Sequence, residues 1–243
     1  QMMDEYLGQF FTPLSHLNSV CNTEQTQEVY AQSLPIITDY STKISQNIDI
    51  YKAYKKIQEK ESRELNYEQK RVLELNILHF ELSGAHLDKK TKERLQEINI
   101  KKSELSNDFS QNLLNATNEY EYIIEDEKDI EGLPQSDIET AKFKDDNGVI
   151  KYKFTLQMPS YIAYMTYGKN RKIRETLYKA YVTRCPQNAV IIDELLALRN
   201  EMSNLLGFKN YAEYSLASKM ANDEKTVLKF LNDLVDNSQE QAK

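Results

Sequence analysis

The 243-residue chain has no tryptophan, only three histidines and two cysteines, and just six glycines and five prolines. With so few breakers, and Leu, Glu, Lys, Ala and Gln recurring, long helices are expected rather than a strand-rich fold. Cys21 and Cys185 stand alone, without C-x-x-C spacing, which argues against a disulfide scaffold and points to a cytoplasmic protein. No apolar run of about 18 residues is present, so no membrane span is expected. The opening "QMMDEYLGQF" lacks the basic and apolar regions of a signal peptide. A net charge of −7 disfavours a general nucleic-acid binder. The patterns G-x-x-x-x-G-K-[ST], G-x-G-x-x-G and G-x-S-x-G are also missing. No internal period of about 20 to 50 residues suggests a solenoid.

What is present is a chain with 40% hydrophobic and 28% charged residues, enough for a core under a soluble surface. The pattern from Phe11 to about Asn47 is helical, broken at "CNTEQ", where Asn22 or Thr23 can cap the next helix. Pro35 predicts a kink or a new helix start. "YEQKRVLELNILHFELSGAHL" is apolar on most sides, as a central buried helix would be. A long helix follows from Asp88 to about Asn118, with Leu95, Ile98, Leu105, Phe109 and Leu113 on one stripe and Glu97–Lys101 as an i,i+4 pair.

The period then changes. Two antiparallel strands are expected at about 119–125 and 149–157, flanking a short helix and a turn. Helices resume after Pro159. One carries Ile191, Leu195, Leu198, Met202 and Leu205 in register, with Gly207 placed to close it. Asn222 or Asp223 caps the last. The expected fold is mainly α, a helical array with one small two-stranded β element, forming a single region over 1–243.

The candidate chemistry is sparse. "HFELSGAH" places His79, Glu81 and His86 close in sequence. In H-E-x-x-H two imidazoles one turn apart share a zinc ion. His79 and His86 are seven apart, roughly 10.5 Å of helical rise, and no third ligand is spaced nearby. Gly84 is placed to end the helix before His86, which would alter that geometry. A structural role is favoured for both, and for the isolated His16. Cys185 has Arg184 beside it, which can lower a thiol pKa, but no histidine near in sequence to activate it. Lys169, Arg171, Lys172, Arg174, Lys179 and Arg184 interleave with Tyr178 and Tyr181. Such a segment could grip nucleic acid or, given the resemblance described below, a peptide's carboxylate. The favoured reading is a charged face paired with the chain's surplus of acids.

Four ordered stretches carry a resemblance: "PLSHLNSVCNTEQTQEVYAQSLPIITDYS", "FELSGAHL", "EGLPQSDIETAK…PSYIAYMTYGKNRKIRETLYKAYVTR" and "ALRNEMSNLLGFKNYAEYSLASKMA". Together they resemble the N-terminal half of the thimet-oligopeptidase-like zinc metallopeptidases, family M3, over nearly the whole chain. The resemblance implies a cytoplasmic enzyme cutting short peptides in a narrow channel between two mostly helical halves. It also implies a zinc ion held by H-E-x-x-H and a further Glu in the other half. None of those residues matches a position here, so no catalytic, cofactor-binding or metal residue is assigned. The expected partners are short peptides and a C-terminal catalytic half, with no nucleic acid and no membrane. Against that family the chain looks cut at both ends and shortened after "VTR". The alternative is a free-standing helical interaction module without peptidase activity.

Overall fold

Where the sequence offers side-chain caps, helices begin. In the computed structural model, which describes residues 2–60 and 64–242, Thr23 starts α2 (Glu24–Ser45). Its hydroxyl accepts from Thr26 N at 3.2 Å, while Thr26 Oγ1 accepts from Thr23 N at 2.8 Å. Such a reciprocal box satisfies two of the donors a helix start leaves open. Asn66 does the same with Gln69 for α4 (Tyr67–Leu82). Asp88 accepts from Thr91 N at 3.1 Å ahead of α5 (Lys89–Glu119). Between them lie α1 (Met2–Val20) and α3 (Ile48–Lys60). Pro35 sits inside α2, so no new helix starts there. One missing N–H is outweighed by the regular turns on either side.

The chain forms two compact units. The first comprises residues 1–106 and 193–243, the second residues 107–192. The boundaries therefore fall within α5 and within α9 (Asn188–Leu205).

In the first unit, Leu95 and Ile98 of α5 pack with Met202 of α9, flanked by Leu87, Leu198, Leu205, Leu206, Tyr211 and Tyr214. Arg94 grips Glu201 with two bonds, Nε to Oε1 at 2.6 Å and Nη2 to Oε2 at 2.9 Å. Glu97 pairs with Arg94 at 2.7 Å, not with Lys101 as its spacing suggested. The helix α10 (Tyr211–Leu216) and α11 (Glu224–Ala242) complete this unit. Asp223 caps α11, accepting from Thr226 N at 2.7 Å. Contrary to expectation, α4 is not buried all round. Leu73, Ile77 and Phe80 are buried, Phe80 against Tyr51 and Tyr54 of α3, but Val72 and Leu75 are 58% and 43% exposed.

The second unit is built on an alternating strand. In β3 (Ile150–Thr155), Tyr152 and Phe154 face inward and Lys151 and Lys153, which alternate with them, outward. β1 (Glu121–Ile124) pairs antiparallel on one side, Tyr122 opposite Phe154. The expected pair is joined by a third strand, β2 (Lys142–Lys144), on the other side of β3. It escaped notice because one phenylalanine between lysines, at the end of α6 (Gln135–Ala141), carries almost no periodicity. Two helices, α7 (Met158–Tyr167) and α8 (Arg171–Thr183), supply Tyr161, Tyr164, Ile173 and Leu177 to the core over the sheet. The Tyr164 hydroxyl donates to Asp129 O at 2.7 Å, and burial pushes its pKa up to about 12.

Three carboxylates hold turns and caps. Asp88 and Asp223 lie below the usual range chiefly through their threonine hydroxyl partners, and Asp145 through the Val149 amide. Each is depressed in the folded state, so its contribution is present above the unfolded carboxyl pKa of about 3.9. It is lost as pH falls through the lower folded value. Among the described residues, no helix is long and apolar enough to cross a membrane.

Candidate functional site

The segment "HFELSGAH" is a helix ending. After Leu82 the backbone turns at Ser83, and Gly84 takes φ +79°. Gly84 N donates to Glu81 O at 3.0 Å and Ala85 N to Phe80 O at 2.9 Å. This is the paired bonding of a Schellman termination, which satisfies carbonyls the helix would otherwise leave open. Gly207, at φ +85°, closes α9 the same way, with Phe208 N on Ser203 O at 2.9 Å. Because the helix stops before His86, His79 and His86 do not share one helical face, and both are exposed. The His79 ring meets Phe80 edge-on at 6.0 Å. Glu81 accepts from the Tyr51 hydroxyl at 2.9 Å; burial and this carboxylate raise the Tyr51 pKa. Leu78, Leu82, Leu206 and Phe208 join Glu81 and His86 around a cavity of about 320 Å³. Among the described residues, no group of three or more His, Cys, Asp or Glu could hold a metal ion. These residues do not fit a zinc site. His16 is exposed on α1.

The basic segment is largely committed to local partners. Lys169 pairs with Glu131 at 2.7 Å and Lys179 with Glu175 at 2.6 Å. Arg174 donates to the Gly168 carbonyl. The Arg184 guanidinium lies 3.7 Å over the Tyr181 ring, which stacks on Tyr161 at 4.2 Å. Asn170 caps α8 and donates to Asp129 at 2.7 Å. Arg171 and Tyr178 border a cavity of about 310 Å³ with Met165, Arg174 and Glu175. Cys185 is buried at φ +61°, an unusual backbone state for a residue with a Cβ. Next to it Asn188 is buried, accepting from Asn112 at 3.0 Å and donating to Phe109 O at 3.0 Å. That cluster braces the start of α9 against α5.

A third cluster lies in the first unit and was not singled out from the sequence. Lys102 is half-buried, and its Nζ meets the Met202 thioether at 3.1 Å. Arg199, also half-buried, lies 5.1 Å over the Tyr211 ring, and its Nε is buried without a hydrogen-bond partner. Desolvation, then the charge of Arg199, lowers the Lys102 pKa. The signal was available. Lys102 falls four residues after Ile98 and three before Leu105, on the apolar stripe of α5. Arg199 falls four after Leu195 and three before Met202 on α9.

A depressed lysine favours its neutral form on folding, so the charged group opposes stability until pH rises through its folded pKa. Lys102→Met, which keeps the stem and removes the charge, is expected to stabilise the chain by about 1 kcal/mol. A urea-unfolding midpoint that rises at neutral pH checks this.

Comparison with known proteins follows the same order along the chain. The model described as "Neurolysin/Thimet oligopeptidase, N-terminal domain" matches residues 1–92, and that of "Peptidase family M3" matches residues 164–243. The chain is 39% identical to oligopeptidase A of Escherichia coli over 99% of its own length and 37% of the relative's. It is 36% identical to the probable cytosolic oligopeptidase A of Arabidopsis thaliana, over 87% of the chain and 32% of that protein. Against saccharolysin of Saccharomyces cerevisiae the identity is 30%, over 95% of the chain and 33% of that protein. The chain thus spans about a third of the length of the curated relatives it matches.

Proposed function

This chain belongs to the M3 peptidase family, corresponding to the N-terminal part of its oligopeptidases, and we propose that it is their non-catalytic helical portion. Its task is to form one wall of a channel that admits short, unfolded peptides, excludes folded proteins by size and helps to orient the substrate. The observation that carries the reading is the ordered match to proteins named oligopeptidase A along almost the entire chain. The rest of the account follows from it. On this reading zinc and its ligands belong to a catalytic half that is this chain's partner, and no step of hydrolysis is assigned to residues of this chain. The setting is the cytoplasm, as the printed name of the Arabidopsis relative says of that protein.

A second feature supports a role beside another polypeptide surface. On α11, Leu228, Leu231, Leu234 and Val235 are each about half exposed or more, at 59%, 48%, 51% and 53%. Their spacing of three, three and one places them along one stripe of the helix.

Reading the coding sequence beyond residue 243 tests the proposal. A continuing frame that encodes H-E-x-x-H supports it. A stop codon directly after Lys243 contradicts it and leaves a free-standing interaction module.

A further inference from the structure

The chain carries 38 acidic residues against 31 lysines and arginines, and several of its cations are paired with carboxylates. Arg94 has Glu201 and Glu97, Lys151 has Glu125 and Asp145, and Lys169 has Glu131. Lys102 and Arg199 are the contrast. They are drawn from adjoining apolar stripes, are half-buried, and no ion pair joins either to a carboxylate among the described residues. The ammonium has a thioether for company, and the guanidinium an aromatic face and a buried, unbonded Nε. Neither partner carries negative charge. Two like charges in a partly desolvated setting repel each other and are costly to keep without an anion.

We infer that Lys102 and Arg199 form a binding site for a carboxylate, supplied by the free C-terminus of a peptide or by an acidic side chain. The geometry suits it. Arg199 presents a planar fork of donors that matches a carboxylate's two oxygens. Lys102 adds a compact charge whose three hydrogens are not all used by Met202. Tyr211 beneath the guanidinium and Met202 beside the ammonium keep water from one side, so the ion pair formed is stronger than an exposed one. The inference stands on these residues alone and does not depend on the peptidase reading. In the 169–184 segment, by comparison, Lys169 and Lys179 are paired with Glu131 and Glu175.

The test is a nuclear magnetic resonance titration of the whole 243-residue chain, following the backbone amides of residues 98–106 and 198–206. Four probes are compared: N-acetyl-dialanine with a free C-terminus, its C-terminal amide, N-acetyl-aspartyl-alanine amide, and sodium chloride at matched ionic strength. The expected result is a saturable shift of the amides around 102 and 199 with the first probe, the third, or both. The amide of dialanine and chloride leave them unmoved. Binding to the first alone assigns the site to peptide termini, and to the third alone to acidic side chains. Lys102→Met, expected to be more stable than the parent chain, weakens the binding at least tenfold, so unfolding cannot mimic the loss. Equal shifts with chloride or with the dialanine amide overturn the inference, as does unchanged binding in Lys102→Met or no shift with any carboxylate.

Discussion

Phe154→Ala is expected to destabilise residues 107–192 by about 3–5 kcal/mol. The side chain is 1% exposed at the centre of the inner face of β3, and its ring meets that of Tyr164 edge-on at 4.9 Å. Large-to-small changes cost least where neighbours can collapse into the space, and here they cannot. Tyr164 is fully buried and tied by its hydroxyl to the Asp129 carbonyl, and Tyr122 is fixed opposite Phe154 by strand pairing. The cavity stays open, and the aromatic contact, about 0.5–1.5 kcal/mol beyond the area term, is lost as well. Ile123→Ala is the control, since Ile123 is 38% exposed on the neighbouring strand and is expected to cost less than about 1 kcal/mol. Because the chain lacks tryptophan, hydrogen exchange of peptides from residues 107–192 is the direct readout. Similar losses of protection in the two variants would show that β3 is not the centre of that core.

Gly84→Ala is expected to cost about 2–5 kcal/mol, adding a left-handed backbone penalty of about 1–2 to overpacking of about 1–3. The backbone is at φ +79°, and an added Cβ would lie 2.7 Å from Leu95 Cδ1 and 3.0 Å from Leu87 Cδ1. Leu95 is itself 2% exposed in the core of the first unit, so it has little room to retreat. Gly207 gives the comparison. It closes α9 at φ +85° but has nothing within 4 Å of its would-be Cβ, so Gly207→Ala should cost the backbone penalty alone. Urea unfolding of the two variants separates conformational strain from crowding. Equal losses would show that Gly84 is required only for its φ, not for the close approach of Leu95.

These contrasts show which features a sequence exposes. The regular stripe on α9, the closing role of Gly207 and the Asp223 cap were legible because each rests on local spacing. The alternation in β3 was equally plain. Three other features depend on what packs where. Val72 and Leu75 were taken as part of a buried helix, yet α4 buries only the face carrying Leu73, Ile77 and Phe80. The strand β2 is three residues whose state is set by pairing with β3 and not by their own pattern. Pro35 was read as a kink or a new helix start, and α2 runs through it without a new start.

The candidate sites show the same division. "HFELSGAH" has the composition of a metal-binding helix and the geometry of a helix end, and Gly84 is the residue that decides between them. The aromatic and basic run from Lys169 to Arg184 was conspicuous in sequence, but Lys169 and Lys179 are paired with Glu131 and Glu175, Arg174 bonds the Gly168 carbonyl and Arg184 lies over Tyr181. Lys102 and Arg199 were inconspicuous because one charged residue in an apolar stripe reads as an interruption. Only the pairing of two such interruptions, with no ion pair to an acid among the described residues, gives them meaning.

The proposed helical portion carries no hydrolytic chemistry of its own, and metal stoichiometry with a cleavage assay tests that most directly. The purified chain, equilibrated with zinc and then passed through a desalting column, is analysed for metal and incubated with quenched fluorescent peptides. The expected result is zinc well below one ion per chain and no cleavage above the buffer rate. One tightly held zinc per chain together with peptide cleavage, both abolished by replacing His79 and His86, would contradict it.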